Sequence, residues 1–198
     1  VITLATVITN SILLNKNEKY VDSIKTVEYE NQLSPSISKD GYFTFTTDDD
    51  LKIMQLTDVH IGGGWMSYSK DKKAITAISS MVSKEKPDLV IATGDIAYPV
   101  PFQAGTFNNK SGAKLFANLM DNLGVYWAIC FGNHDTESYA FYNRDSIANY
   151  YLEHQYSENS KGKYCLFQKG PENINGKGNY VINVKNSKDV ITQSLIIM

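Results

Sequence analysis

Three apolar runs constrain this chain more than anything else in it: LKIMQLT from Leu51, DLVIAT from Asp88 and VYWAICF from Val125. Each reads as a strand, and DLVIAT has the continuous apolar, β-branched pattern of a strand covered on both faces. Between the first two, Lys70 to Lys84 places Ala74, Ile75, Ala77, Ile78, Met81 and Val82 at helical spacing, with lysines opposite and Pro87 as the stop. Between the second and third, a loop holding Pro99, Pro101 and Gly105 leads to a helix over about Gly112 to Asn122, with Leu115, Phe116, Leu119 and Met120 inward. Strand–loop–helix units in series call for a largely parallel or mixed α/β sheet. Ligands of such sheets gather outside the carboxyl ends of the strands.

Polar clusters stand at those ends. The first strand runs into Asp58-Val59-His60 and then Gly62-Gly63-Gly64, the second into Gly94-Asp95, the third into Gly132-Asn133-His134-Asp135. Asp95 lies 37 positions after Asp58, and Asn133 lies 38 after Asp95, the length of a βα unit with a substantial loop rather than a sequence repeat. Taken singly, Asp-x-His, Gly-Asp after a strand and Asn-His are ordinary loop chemistry. Their conjunction at three successive strand ends is what carries weight, together with two of the chain's 3 histidines falling inside them. His154, at a polar helix end, reads as a C-terminal charge partner or a surface residue.

Asp58, His60 and Asp95 offer two hard oxygen donors and one borderline nitrogen, and Asn133 adds a neutral oxygen. This set suits Zn, Mn or Fe and not a calcium cage or a thiolate site. A carboxylate can bridge two cations. Cations about 3.5–4 Å apart clamp a phosphoryl group and bring the pKa of a bridging water towards neutrality, which supplies a hydroxide nucleophile. His134 follows Asn133 directly and is placed for the leaving-group oxygen, with Asp135 setting its tautomer.

The three clusters, in this order, resemble the first three motifs of the calcineurin-like metallophosphoesterase superfamily, over about Leu51 to Asp135. The resemblance implies a four-layer α/β/β/α sandwich and a dinuclear site of divalent or mixed-valence transition metals. It implies that Asp58 and His60 ligate the first metal, that Asp95 bridges, that Asn133 ligates the second and that His134 is the catalytic histidine, supported by Asp135. Tyr98, three after Asp95, gives a Gly-Asp-x-x-Tyr pattern similar to the purple acid phosphatase branch, where the tyrosine binds iron. That branch lacks a histidine in its first motif, so His60 makes the non-purple Asp-x-His relatives the better comparison and Tyr98 a wall of the pocket. The family's later histidine ligands have no counterpart, since no histidine follows His154. The expectation is an α/β domain incomplete at the C-terminus, a fragment that binds metal weakly on its own.

The flanks fill in the organisation. VITLATVITNSILLN, residues 1–15, reads as a signal-peptide or membrane-anchor remnant, with Val1, Leu4, Ala5, Ile8 and Ile12 on one helical face, and so points to a secreted or membrane-anchored, extracytoplasmic protein. Residues 16–40 are a polar lead-in and 41–198 the metallophosphoesterase domain. GYFTFTT and LKIMQLT read as a hairpin turning at Asp48-Asp49-Asp50. After the third cluster come a helix over Arg144 to His154 and three strands, KYCLFQ, NYVINV and ITQSLIIM, the last two joined by a turn at Asn186-Ser187-Lys188-Asp189. Cys130 and Cys165 read as buried small hydrophobes. Asn109-Lys110-Ser111 is a glycosylation sequon of little weight. The net charge of −2 gives no nucleic-acid footprint, so the expected partner is a small-molecule or protein phosphate ester. The rival readings are a non-catalytic binding module or pseudoenzyme on the same fold, and a mononuclear hydrolase using Asp58, His60 and Asp95 alone.

Overall fold

In a computed structural model that describes residues 2–198, the chain runs α1 (Ile2–Asp22), β1 (Ser36–Ile37), β2 (Phe43–Thr46), β3 (Ile53–Leu56), α2 (Tyr68–Glu85), β4 (Leu89–Thr93), α3 (Pro101–Ala104), α4 (Asn109–Leu123), β5 (Tyr126–Cys130), a 3₁₀ turn at His134–Thr136, α5 (Arg144–Glu153), β6 (Tyr180–Lys185) and β7 (Ile191–Ile197). The three apolar runs form one parallel sheet in the order β3-β4-β5. Leu56 pairs with Ala92, and Thr93 with Cys130, so the strands end side by side. Residues a few positions past each end therefore share one edge.

Helices α1, α2 and α4 pack on one another along this sheet. Ile75, Ile78 and Val82 of α2 and Leu115, Phe116, Leu119 and Met120 of α4 are buried, as their helical spacing requires. Lys86 closes α2 in the left-handed conformation, φ 47°, donating its N–H to Val82 O, and Pro87 prevents continuation. The other face of β3-β4-β5 meets a second, four-stranded sheet in the order β1-β2-β6-β7. Phe45 of β2 stands edge-on to Tyr126 of β5 at 6.0 Å. The Tyr180 hydroxyl of β6 accepts from Ile129 N at 2.9 Å and donates to Ile129 O at 2.8 Å. The α/β sandwich is thus seen as helices, parallel sheet and mixed sheet in succession.

Two expected pairings differ. GYFTFTT and LKIMQLT make no hairpin: β2 runs parallel to β6 in one sheet, while β3 belongs to the other. The Asp48 carboxylate accepts from Ser187 N at 2.9 Å and Thr47 N donates to Lys185 O at 2.9 Å, so the acidic turn ties β2 to β6 before the chain crosses over. KYCLFQ lies along β5, with Trp127 N donating to Tyr164 O at 3.1 Å and Leu166 N to Trp127 O at 2.7 Å, but forms only isolated bridges. Cys165 O is also claimed by Tyr156 N at 2.7 Å, which pulls that run out of the sheet. The β6–β7 hairpin forms as read, and Cys130 and Cys165 are free thiols.

Helix α1 continues without a break past residue 15 into Asp22. Its second half is docked: Val21 is buried, Asn17 Nδ2 donates to Tyr68 O, and Glu18 pairs with Lys114 at 2.8 Å. Leu4, Val7, Ile8 and Ile12 remain exposed, and Val1 lies outside the described residues. Among the described residues no helix is long and apolar enough to cross a membrane. The lead-in then lies along the domain, with Val27 N on Leu123 O and the Tyr29 hydroxyl on Pro87 O, both at 2.9 Å. His154 is no surface residue: its Nδ1 sits 2.6 Å from Asp121 Oδ2 on α4.

Candidate metal centre

The loops that leave β3 and β4 hold their candidate ligands in an uncommon backbone. Asp58, His60 and Asp95 have φ of 52°, 53° and 53°, the left-handed region that costs a non-glycine residue about 1–2 kcal/mol. Hydrogen bonds between the two loops hold them there. Asp58 N donates to Gly94 O at 3.2 Å, His60 N to Asp95 O at 3.0 Å, Ile61 N to Ile96 O at 2.8 Å, and Tyr98 N to Ile61 O at 2.9 Å. The third loop joins through contact too close for a side chain: a Cβ on Gly132 would collide with the Asp95 carboxylate and backbone.

Asp135 is the staple of this arrangement. Its carboxylate is buried and accepts from Asp95 N at 2.9 Å, Gly132 N at 2.8 Å and Ala97 N at 2.8 Å. Burial raises its pKa, against the pull of the three N–H groups, with the nearby Asp95 charge adding a little. This corrects the expectation that Asp135 supports the His134 imidazole. That place belongs to Glu137, whose Oε1 lies 2.9 Å from His134 Nδ1. Nδ1 is buried, and the contact is close without the alignment of a hydrogen bond.

The donor groups converge. His60, Asp95 and His134 each present a ligand atom, and these three atoms lie within 4.8 Å of one another. Asp58 Oδ1 is 3.7 Å and Asp95 Oδ2 3.8 Å from His60 Nε2. Asp95 Oδ1 accepts the His134 N–H at 2.8 Å, and Asp58 Oδ2 the Thr57 hydroxyl at 2.7 Å, so both carboxylates are oriented. Asn133 stands at the start of the 3₁₀ turn and is exposed. The site is open on top, with side-chain exposures of 61% for Asp58 and 39% for His60 against 14% for Asp95. Tyr98 forms a wall, stacked on His60 at 4.5 Å and edge-on to His134 at 4.8 Å.

These residues fit a transition metal. Among the described residues no lysine or arginine pairs with Asp58 or Asp95. Oriented carboxylates facing imidazoles with no organic cation between them form a donor set that a divalent ion would satisfy.

Three residues that hold the site were not legible as such. Asp71, in the first turn of α2, is buried and accepts from Gly62 N, Gly63 N and Ser67 Oγ. Asn109 donates to Asp135 O at 2.8 Å and Tyr142 O at 2.7 Å and accepts from Tyr142 N at 3.1 Å. It is fully buried, which closes the glycosylation sequon. Glu137 is the third. Its only signal was an i,i+3 spacing from His134; Asp71 offered an acid in a helix's first turn just after a glycine run.

The profile of the calcineurin-like phosphoesterase family matches residues 51–193. A probable inactive purple acid phosphatase 14 of Arabidopsis thaliana is 27% identical over 154 residues, 71% of this chain and 36% of the relative. A probable inactive purple acid phosphatase 29 of the same plant is 24% identical over 170 residues, 78% of this chain and 40% of the relative. Phosphatase DCR2 of Saccharomyces cerevisiae is 30% identical over 161 residues, 73% of this chain and 25% of the relative. The chain thus spans between a quarter and two fifths of these relatives. No solved structure matches it.

Proposed function

We propose, from the premise that the chain belongs to the calcineurin-like phosphoesterase family, that it carries part of a dinuclear metal-dependent phosphoric ester hydrolase. The observation that supports this most is the convergence of His60, Asp95 and His134 within 4.8 Å beside Asp58. Asp58 and His60 would hold one metal and Asn133 the second, with Asp95 shared between them; Mn, Fe and Zn all suit these donors. When bound, the metals supply Lewis acidity to the phosphoryl oxygens and an acidified water.

The chain's own residues do the rest. Asp95 fixes the backbone of His134 through Oδ1 and keeps Oδ2 towards His60. Glu137 packs its carboxylate against the Nδ1 side of His134, which leaves Nε2 to serve the leaving-group oxygen. Asp135 acts through the loops, joining the backbones of the second and third motifs. Tyr98 limits water on one side of both imidazoles.

His134→Ala tests the assignment. In the complete protein, with Mn²⁺ or Zn²⁺ and a chromogenic phosphate monoester, turnover falls by about 10²–10⁴ while metal content, read by elemental analysis, stays near wild type. Metal lost in step with turnover would make His134 a ligand instead. Stoichiometric metal without turnover in wild type would favour the non-catalytic alternative, which the names of two relatives already raise.

A further inference from the structure

Arg144 is the single arginine among the chain's 19 basic residues, and it stands beside the metal centre. Its Nε donates to Thr136 Oγ1 at 3.3 Å, two residues past His134, and its guanidinium lies over the Phe131 ring at 5.6 Å. Among the described residues no carboxylate lies within ion-pair distance of it. Asp145, the adjacent acid, is drawn away to Lys177 at 3.3 Å. A guanidinium braced on a ring and held at one nitrogen keeps its two outer nitrogens in the fork geometry that grips a carboxylate or phosphate.

The surroundings suit a ligand. A surface groove of about 470 Å³ is lined by Thr136, Glu137, Phe141, Asn143, Arg144 and Ser146 among others. It is continuous with the site through Glu137, whose carboxylate touches the His134 imidazole. That contact directs the Glu137 carboxylate at the His134 imidazole. Asn143 Oδ1 is occupied by Ser146 N and Oγ, both at 2.9 Å, so the polar wall is ordered. Phe141 is 69% exposed and offers an apolar flank.

We propose that this groove is the leaving-group subsite, and that it selects phosphate esters whose leaving group carries a second anionic group, a carboxylate or a further phosphate, gripped by Arg144. The proposal rests on the hydrolase reading for its catalytic half only. Lysines are abundant on this surface, but none lines the groove. The one residue suited to bidentate capture shares this groove with Thr136 and Glu137, the residues that follow His134.

The test uses the complete protein with Mn²⁺ and three matched esters: phenyl phosphate, 4-carboxyphenyl phosphate and hydroquinone bisphosphate. The esters with a second anionic group should have KM values about tenfold below that of phenyl phosphate. Arg144→Gln should bring the ratio close to one, and Arg144→Lys should restore only part of it. The better of these two esters identifies the preferred second group. Calorimetric binding of phenylphosphonate and 4-carboxyphenylphosphonate gives a readout independent of turnover. A preference in binding, lost in Arg144→Gln, with no turnover of any ester would sink the hydrolase reading and keep the subsite. Turnover of all three esters with equal KM, or a preference that survives Arg144→Gln, overturns the subsite.

Discussion

The β6–β7 hairpin and the loops at the carboxyl edge of β3, β4 and β5 share a device, an acidic residue in left-handed backbone, and secure it in opposite ways. In the hairpin, Asp189 has φ 63°. Everything that answers it is within four residues: Lys185 Nζ lies 2.6 Å from its carboxylate, and Asn186 Oδ1 accepts from Lys188 N and Val190 N, each at 3.0 Å. The turn is exposed, and although Ser187 N donates to Asp48 Oδ1, Asp189 itself is answered locally. At the candidate metal centre, Asp58, His60 and Asp95 carry the same strain, but Asp135, forty positions from Asp95, supplies one of the acceptors that holds it. A turn that relieves its own strain can stand at the surface. A site that must present several ligands to one point needs buried groups from distant parts of the chain, and so becomes a stability determinant as well as a functional one.

Asp135→Ala is the strongest way to break that contrast. It leaves three N–H groups, of buried Ala97 and half-buried Asp95 and Gly132, without an acceptor. The expected loss is about 3 kcal/mol or more in urea unfolding of metal-free protein, with divalent-metal affinity falling alongside. Asp189→Ala should leave the unfolding midpoint where it is, because its carboxylate is solvated and its salt bridge exposed. Equal losses at the two positions would mean that the site loops are no more dependent on distant support than the hairpin.

A pair of glycines sharpens the same point at smaller cost. Gly132→Ala drives a methyl into Asp95, and overpacking of this kind costs about 1–3 kcal/mol. Gly162→Ala faces open space, so its penalty is only that of φ +70°, about 1 kcal/mol. Isothermal titration with Mn²⁺ separates them further: affinity should drop for Gly132→Ala and hold for Gly162→Ala.

The contrast also explains what could be read from the sequence. Apart from KYCLFQ, which makes only isolated bridges, the strands, both main helices and the β6–β7 turn are local patterns, and they form within a few residues of where the periodicity puts them. The three ligand clusters were legible because parallel strands in register deliver their ends to one edge. The partner of β2 was not: four residues, FTFT, buried along most of their length, fit either sheet, and only Asp48 reaching Ser187 fixes the choice. Asp135 neighbours His134 in sequence, which suggests a support for its imidazole. In space a 3₁₀ turn sends its carboxylate beneath the loops and brings Glu137 to the ring. Asp71 was hidden among lysines on what reads as the solvated side of α2, and its role depends on the close backbone packing of Gly62 and Gly63, which no residue pattern announces.

Asp71 gives the smallest and most discriminating effect, because the sign of a pH dependence is at stake. Its carboxyl is buried beneath the loop that follows His60, and burial raises its pKa above the ordinary 3.8. The Gly62 N–H, the Ser67 hydroxyl, the Gly63 N–H and the Lys70 charge pull the other way and do not prevail. A raised folded-state value means that the folded chain holds the proton more tightly than the unfolded chain. The stability this contributes is present in full below the unfolded value and is lost as pH rises through the folded one. An amide in place of the carboxyl does not titrate, so Asp71→Asn isolates the effect, and carboxylates common to both proteins cancel. Urea unfolding of the two metal-free proteins, compared between about pH 3 and pH 7, should show the wild-type advantage shrinking as pH rises. An advantage that grows instead would mean that the N–H groups of Gly62 and Gly63 hold the ionised form more strongly than burial disfavours it. The glycine loop would then be secured by a charge, and the buried support of the site would be electrostatic in kind, like the exposed hairpin it was contrasted with.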